Sequence, residues 1–201
     1  MKTKVLCLLL WSPVFAFSQN TDSSKSINLN TEITISTRNI WRGLDYGSSP
    51  SLQGTLALTH DNFEIGTWGT TTLNGSKAGY GTWVELFATA KYKNFSVTLD
   101  DYFFFNADDS LNNYFDWRSK KTQHFIEFRL KFDSDKIDLM AGYALYKNKF
   151  DDTKGLYVEA EYSLFKNLSF VVGGLTSSSW LSFYDDGGIT TIGVSGKRRI
   201  Q

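Results

Sequence analysis

Hydrophobic residues recur at every second position along most of the chain. Ile27, Leu29, Ile33 and Ile35 alternate with Asn28, Asn30, Glu32, Thr34 and Ser36, the period of an extended strand rather than a helix. The rhythm returns in Leu52/Leu56/Leu58, Phe63/Ile65, Val84/Leu86/Ala88/Ala90, Phe95/Val97/Leu99, Ile126/Phe128/Leu130/Phe132, Ile137/Leu139/Ala141/Tyr143, Leu156/Val158/Ala160/Tyr162, Leu168/Phe170/Val172 and, more weakly, Ile192/Val194. About ten strands are predicted, within a range of roughly 8–12. Gly, Thr, Asn and β-branched residues interrupt every helical candidate.

The connections alternate in length. His60-Asp61-Asn62, Lys93-Asn94, Asp133-Ser134-Asp135-Lys136 and Lys166-Asn167 read as tight hairpins of turn-forming residues. Between them fall longer segments rich in Gly, Ser, Asn, Asp and aromatics: 43–51, 72–81, 106–121, 147–154 and 176–188. This is the meander expected of a single antiparallel transmembrane β-barrel, with short periplasmic turns, longer external loops and an even strand number.

Alternation alone does not say which face is inside, since a soluble ligand-binding barrel turns its apolar face inward. The polar positions mix charges with small and aromatic residues. They include Glu32, Arg38, Arg42, Glu64, Glu85, Asp100, Glu127, Arg129, Lys131, Asp138, Glu159 and Glu161, beside Gly66, Thr89, Thr98, Trp68, Trp83, Tyr102 and Tyr157. Such a face suits a lumen with paired charges, so the apolar face is expected to meet lipid. Extending the first strand's alternation turns Arg38 and Arg42 inward and Trp41 outward near the rim. Trp41, Tyr92, Phe95, Tyr143 and Tyr162 are the candidates for an interfacial aromatic girdle. An arginine on the lipid face near the midplane would cost about 2–4 kcal/mol, which makes the assignment of faces energetically sharp.

The first residues fit that compartment. Lys2 and Lys4 precede a mostly apolar run from Val5 to Phe17, and Ala16-Phe17-Ser18 supplies small residues before a cut at Gln19. The run falls below the roughly 20 residues of a spanning helix. Residues 1–18 are therefore expected to be a cleaved secretory signal and 19–201 one outer-membrane domain of a diderm bacterium. Cys7 is the only cysteine, so the exported portion carries no disulfide, Cys-based metal site or thiol nucleophile. The 21 basic and 21 acidic residues balance, and losing Lys2 and Lys4 leaves 19 against 21. Without a basic block, nothing points to nucleic acid.

Arg42-Gly43, Pro50, Gln53-Gly54, His60, Phe63, Gly66 and Trp68 form a signature that resembles the opening of the TorF-type porins, a family of outer-membrane proteins also known as Gcw_chp. The match covers about thirty residues, although the strand rhythm continues to the end of the chain. The resemblance implies an outer-membrane barrel with a pore role and supplies no catalytic residue or substrate. Two features depart from the pattern: Thr59-His60-Asp61-Asn62 stands where a Ser-Gly-type turn is expected, and Gly196 to Gln201 lacks the final aromatic common in barrels.

The inward charges admit two arrangements, a ring that selects oppositely charged solutes or cross-strand pairs that fill a narrow lumen. Arg38, Arg42, Glu64 and Glu85 come from neighbouring strands and are candidates for one network. His60 lies at a turn, and His124 falls by parity on the apolar face near the outer end of its strand, so neither joins a nucleophile or a lumen carboxylate. Asp108-Asp109, Asp151-Asp152 and Asp185-Asp186 are acidic loop pairs that suit solvated charge better than a rim site or Ca²⁺. The glycines of "GTWG" and "VVGG" lie inside strands and form no phosphate cradle. No cofactor, metal or catalytic residue is expected. The partners expected are outer-membrane lipid and small hydrophilic solutes passing passively through a narrow charged lumen. The alternative is a closed structural or receptor barrel acting through its external loops, with "NNYFDW" and "SSSWLSFYDD" as the segments that suggest it.

Overall fold

A computed structural model describes residues 26–74, 81–105, 109–149, 155–178 and 186–196. The expected export segment lies outside the described residues, as do Asp108, the Asp151-Asp152 pair, Asp185 and residues 197–201.

The strands are β1 (Asn28–Ser36), β2 (Ile40–Trp41), β3 (Leu44–Asp45), β4 (Ser51–His60), β5 (Phe63–Thr72), β6 (Trp83–Tyr92), β7 (Phe95–Phe104), β8 (His124–Asp133), β9 (Ile137–Tyr146), β10 (Tyr157–Phe165), β11 (Leu168–Leu175) and β12 (Gly188–Gly196). Ten of them form one sheet in the order β1-β4-β5-β6-β7-β8-β9-β10-β11-β12, while β2 and β3 pair only with each other. Every neighbouring pair is antiparallel, so each long strand hydrogen-bonds to the next in sequence. The tight turns fall where turn chemistry placed them. Asp61 and Lys93 take φ values of 53° and 52°, the positive φ that lets a two-residue hairpin follow the strand twist.

The apolar positions lie on the exposed face. Ile33, Leu58, Phe63, Ile65, Leu86, Leu99, Phe128, Leu130, Leu139, Val158 and Phe170 are all exposed large hydrophobics. The alternate positions turn the other way, where Ser51, Thr70, Thr98, Asp100 and Glu127 are buried with Trp83, Tyr102, Phe125 and Tyr157. This inverts the usual arrangement of a water-soluble fold. The compact core is correspondingly aromatic and sits at the long-loop end of the polar face, where Trp83, Tyr102 and Phe125 pack with Trp41, Tyr46, Trp68 and Phe104.

The all-β antiparallel sheet is as expected, but its closure into a barrel needs a correction. Among the described residues no ladder joins β1 to β12, so the sheet is a ten-stranded meander and not a closed cylinder. The chain that follows β1 reaches β12 differently, through the tip of the β2–β3 hairpin. Thr190 is the extra residue where the β11–β12 register breaks between Gly173 and Gly174, and a Cβ on Gly43 would lie 1.8 Å from its carbonyl oxygen.

Candidate functional site

The site begins with a broken rhythm. The alternation of β1 was expected to continue through Trp41 and set that ring outward as part of the girdle. Instead β1 stops at Ser36 and the chain folds over the polar face. Buried Asn39 fixes the bend, its side-chain amide donating to Thr70 Oγ1 at 3.3 Å and its carbonyl accepting from the Tyr46 amide at 2.8 Å. Arg42 and Gly43, with φ values of 53° and 81°, then make the two-residue turn between Trp41 and Leu44, a backbone suited to the primed hairpin turns. Trp41 consequently packs on the polar face and does not lie with the apolar face as expected. Its ring lies 5.9 Å from Tyr46, 6.3 Å from Trp83 and 5.5 Å from Tyr102.

Arg42 lies at the tip of this hairpin. Its Nη2 donates to both carboxylate oxygens of Glu127 at 2.8 and 2.6 Å, and the side chains are only 10% and 2% exposed. The guanidinium also lies over Trp41 and Tyr157, 4.4 and 4.3 Å from the ring centroids, contacts that favour a cation held away from water. Tyr102 adds a longer hydrogen bond to Glu127 at 3.4 Å. Gly142 makes room for the pair, because a Cβ there would lie 2.6 Å from Glu127 Oε1 and 3.1 Å from Arg42 Nη2.

The other polar-face charges pair separately. Arg129 binds Asp100 bidentately at 2.6 and 2.7 Å, the fork geometry that makes arginine–carboxylate pairs strong, and lies 3.7 Å from Glu85. Glu64 pairs with Lys91 at 3.2 Å and Arg38 with Asp45 at 2.5 Å. Lys131 lies 2.5 Å from Asp133 and 4.0 Å from Asp138. Glu159 accepts from the Tyr157 hydroxyl at 2.6 Å, Glu161 stands opposite Asp138 in the ladder, and exposed Glu32 accepts from Thr34 at 3.1 Å.

Arg38, Arg42, Glu64 and Glu85 therefore do not form the single network considered from the sequence. The reason is register: the ladder partner of Glu64 is Thr89 and that of Arg129 is Thr98, so Lys91 and Asp100 reach them as same-face diagonal neighbours two positions along, and the hairpin carries Arg42 across to β8. Asp45 and Lys91 were missed as partners; the parity of Lys91 with Glu85 and Thr89 on one strand was the available signal. Of the girdle candidates other than Trp41, Tyr92, Phe95, Tyr143 and Tyr162 are exposed with the apolar face.

Below the hairpin is a cavity of about 760 Å³. Trp41, Trp68, Trp83, Tyr102 and Phe87 contribute aromatic surface to it, while Arg38, Gln53, Thr55, Glu64, Glu85, Thr89 and Arg129 supply polar groups. Among the described residues no cluster of three or more His, Cys, Asp or Glu side chains has metal-binding geometry.

A second polar cluster sits on the opposite, apolar face. His124 falls there as its parity predicted, but it is buried. Its Nδ1 lies 2.8 Å from Asp101 Oδ1 and its Nε2 2.6 Å from the Tyr114 carbonyl oxygen. The Tyr114 hydroxyl donates to Asp101 Oδ2 at 2.9 Å, and Trp117 stacks on the imidazole with centroids 3.7 Å apart. Thus the loop after β7 folds over the apolar face and shields an Asp-His pair. Desolvation, and then the hydrogen bond to Asp101, raise the Tyr114 hydroxyl to about 12.

No family model, no curated protein and no solved structure matches the chain. The resemblance to TorF-type porins therefore stands on its own residues. In the fold, Arg42-Gly43 is the hairpin tip, Pro50 and Gln53-Gly54 open β4, and Gly66 and Trp68 lie beside the cavity wall on β5.

Proposed function

We propose that this chain is an outer-membrane β-barrel, closed in the bilayer by β1 against β12, through which small hydrophilic solutes pass when the β2–β3 hairpin withdraws. The apolar exposed face, the polar opposite face and the alternation of short and long connections support membrane insertion. What carries the gated reading is the Arg42–Glu127 clamp: a hairpin held across the polar face by one buried ion pair leaves a large cavity beneath it. A side-chain-filled wall would have left no such space.

Planar-bilayer conductance of the refolded protein tests this. Brief, infrequent openings are expected of the native chain and longer or more frequent ones after Glu127→Gln. A variant that folds and inserts but leaves both the duration and the frequency of openings unchanged overturns the gate. A native protein that remains in the soluble fraction without heat-modifiable gel mobility overturns the membrane reading itself.

The receptor reading draws on a different observation. Tyr114 and Trp117 are anchored to the wall, yet Phe115 between them is 84% exposed, a feature of an aromatic loop presented outward. Deleting residues 112–118 would then abolish partner binding while leaving conductance unchanged.

A further inference from the structure

The cavity under the hairpin has a composition that selects one class of solute. Trp41, Trp68 and Trp83 form an indole wall of tilted rings, with Trp83 6.3 Å from Trp41 and 5.5 Å from Trp68 between ring centroids; Trp83 is buried behind them, and Trp41 and Trp68 keep partly exposed faces. Aromatic faces of this kind take up apolar C–H surface and fix its orientation. Gln53 and Thr55 bring amide and hydroxyl groups to the same space. Its volume of about 760 Å³ lies inside the roughly 300–1,000 Å³ typical of small-molecule pockets.

Charge complementarity narrows the choice. Arg38 is already paired with Asp45, Glu64 with Lys91 and Arg129 with Asp100, and Glu85 lies 3.7 Å from Arg129, so a charged ligand would compete with contacts already made within the wall. A neutral molecule with hydroxyl groups on its edge and C–H groups on its face leaves every pair intact. It also uses both kinds of wall. We propose that the cavity is a binding site for a neutral saccharide, a mono- or disaccharide, stacked on the indole wall with Trp68 as a principal contact. This deepens the solute-passage reading and rests on it for the cavity's role, although binding itself is measured independently of flux.

Intrinsic tryptophan fluorescence of the refolded full chain reads the site, titrated with glucose, maltose and cellobiose. Sorbitol serves as a neutral polyol without a ring and gluconate as an anionic one. A saturable change with at least one of the sugars, and none with sorbitol or gluconate, is the expected result. Trp68→Ala should weaken that binding about threefold to tenfold, as loss of one aromatic contact implies, and Trp68→Phe should recover most of it. Thr55→Val supplies a second variant that keeps the indoles in place and should also weaken binding.

Equal responses to gluconate and the sugars, or no saturable response in protein that shows heat-modifiable mobility, overturn the saccharide site. Binding with unaltered affinity in Trp68→Ala and Thr55→Val does the same. Protein that lacks the mobility shift reports failure of the barrel reading instead, so the two failures are read separately.

Discussion

Removing Arg42 should open the structure more than removing Arg42 and Glu127 together. With the hairpin seated, Arg42→Ala leaves the Glu127 carboxylate 2% exposed and without its cation. Breaking one side of a buried pair costs about 3–5 kcal/mol, and the lost cation–π contacts to Trp41 and Tyr157 add roughly 0.5–2 kcal/mol. When the hairpin withdraws, Glu127 regains water and most of the first penalty disappears. The seated state alone is therefore destabilised, and a change of about 3 kcal/mol moves its equilibrium by roughly 10²-fold. Adding Glu127→Leu to Arg42→Ala removes the stranded charge and should return the hairpin toward its seat. Open probability in a planar bilayer is the assay, with protease accessibility at Arg38 as a readout that needs no channel. The order expected is native lowest, the double variant intermediate and Arg42→Ala highest. An additive result, with the double variant at least as open as Arg42→Ala, refutes the clamp, since it would mean the two side chains are not coupled.

Leu99→Arg tests the environment of the apolar face: at mid-strand in a bilayer it should cost about 2–4 kcal/mol of folding free energy in lipid vesicles, whereas a change within about 0.5 kcal/mol would indicate a water-facing wall. Gly43→Ala places a methyl 1.8 Å from the Thr190 carbonyl oxygen at a φ of 81°, so the hairpin should fail to seat and protease cleavage at Arg38 should increase; native-like resistance would remove the tip contact from the argument. Because the raised Tyr114 hydroxyl favours the protonated form in the folded loop, its contribution holds below the ordinary tyrosine range near 10 and is lost as pH rises through about 12. A Trp117 fluorescence transition in that window, absent in Tyr114→Phe, is expected, and the same transition in both proteins would contradict it.

The sheet was legible because its information is local. Period-two alternation and Asx-rich turns place the strands of β4 through β11 and their register follows from the short hairpins, whose length leaves little freedom. The failure at Trp41 has a physical source. Parity transmits orientation only while the chain stays extended, and Arg42-Gly43 adopts two positive φ values that reverse the chain after a bend at Asn39. Period-two counting cannot detect that reversal. Arg-Gly flanked by Trp and Leu-Asp was itself the hairpin signal, overshadowed by the strand pattern before it. The ion pairs were illegible for a related reason: Arg42 and Glu127 are 85 positions apart, and only the fold-over of the hairpin brings them together. His124 shows the opposite case, where parity gave the correct face but not the loop that covers it, because loop docking depends on the Asp101, Tyr114 and Trp117 contacts and on no repeating pattern.

The seam between the first and last strands connects these observations. Ile33 on β1 is 80% exposed and Ile192 on β12 70%, against 48% for Leu99 within the sheet, as edge strands lacking one neighbour should be. Both edge strands are nine residues long, and in a ten-stranded antiparallel meander the first and last run in opposite directions. In water those edges could hydrogen-bond to solvent. In hydrocarbon each unpaired backbone group would cost several kcal/mol, which is the physical ground for the proposed pairing of β1 with β12 in a bilayer. The hairpin lies on that same boundary, leaving β1 at Ser36 and touching β12 at Thr190. The hairpin tip is thus tied to β8 through Arg42 on Glu127 and to β12 through Gly43 at Thr190, so the proposed closure of the seam and the seating of Arg42 would involve the same strand, β12.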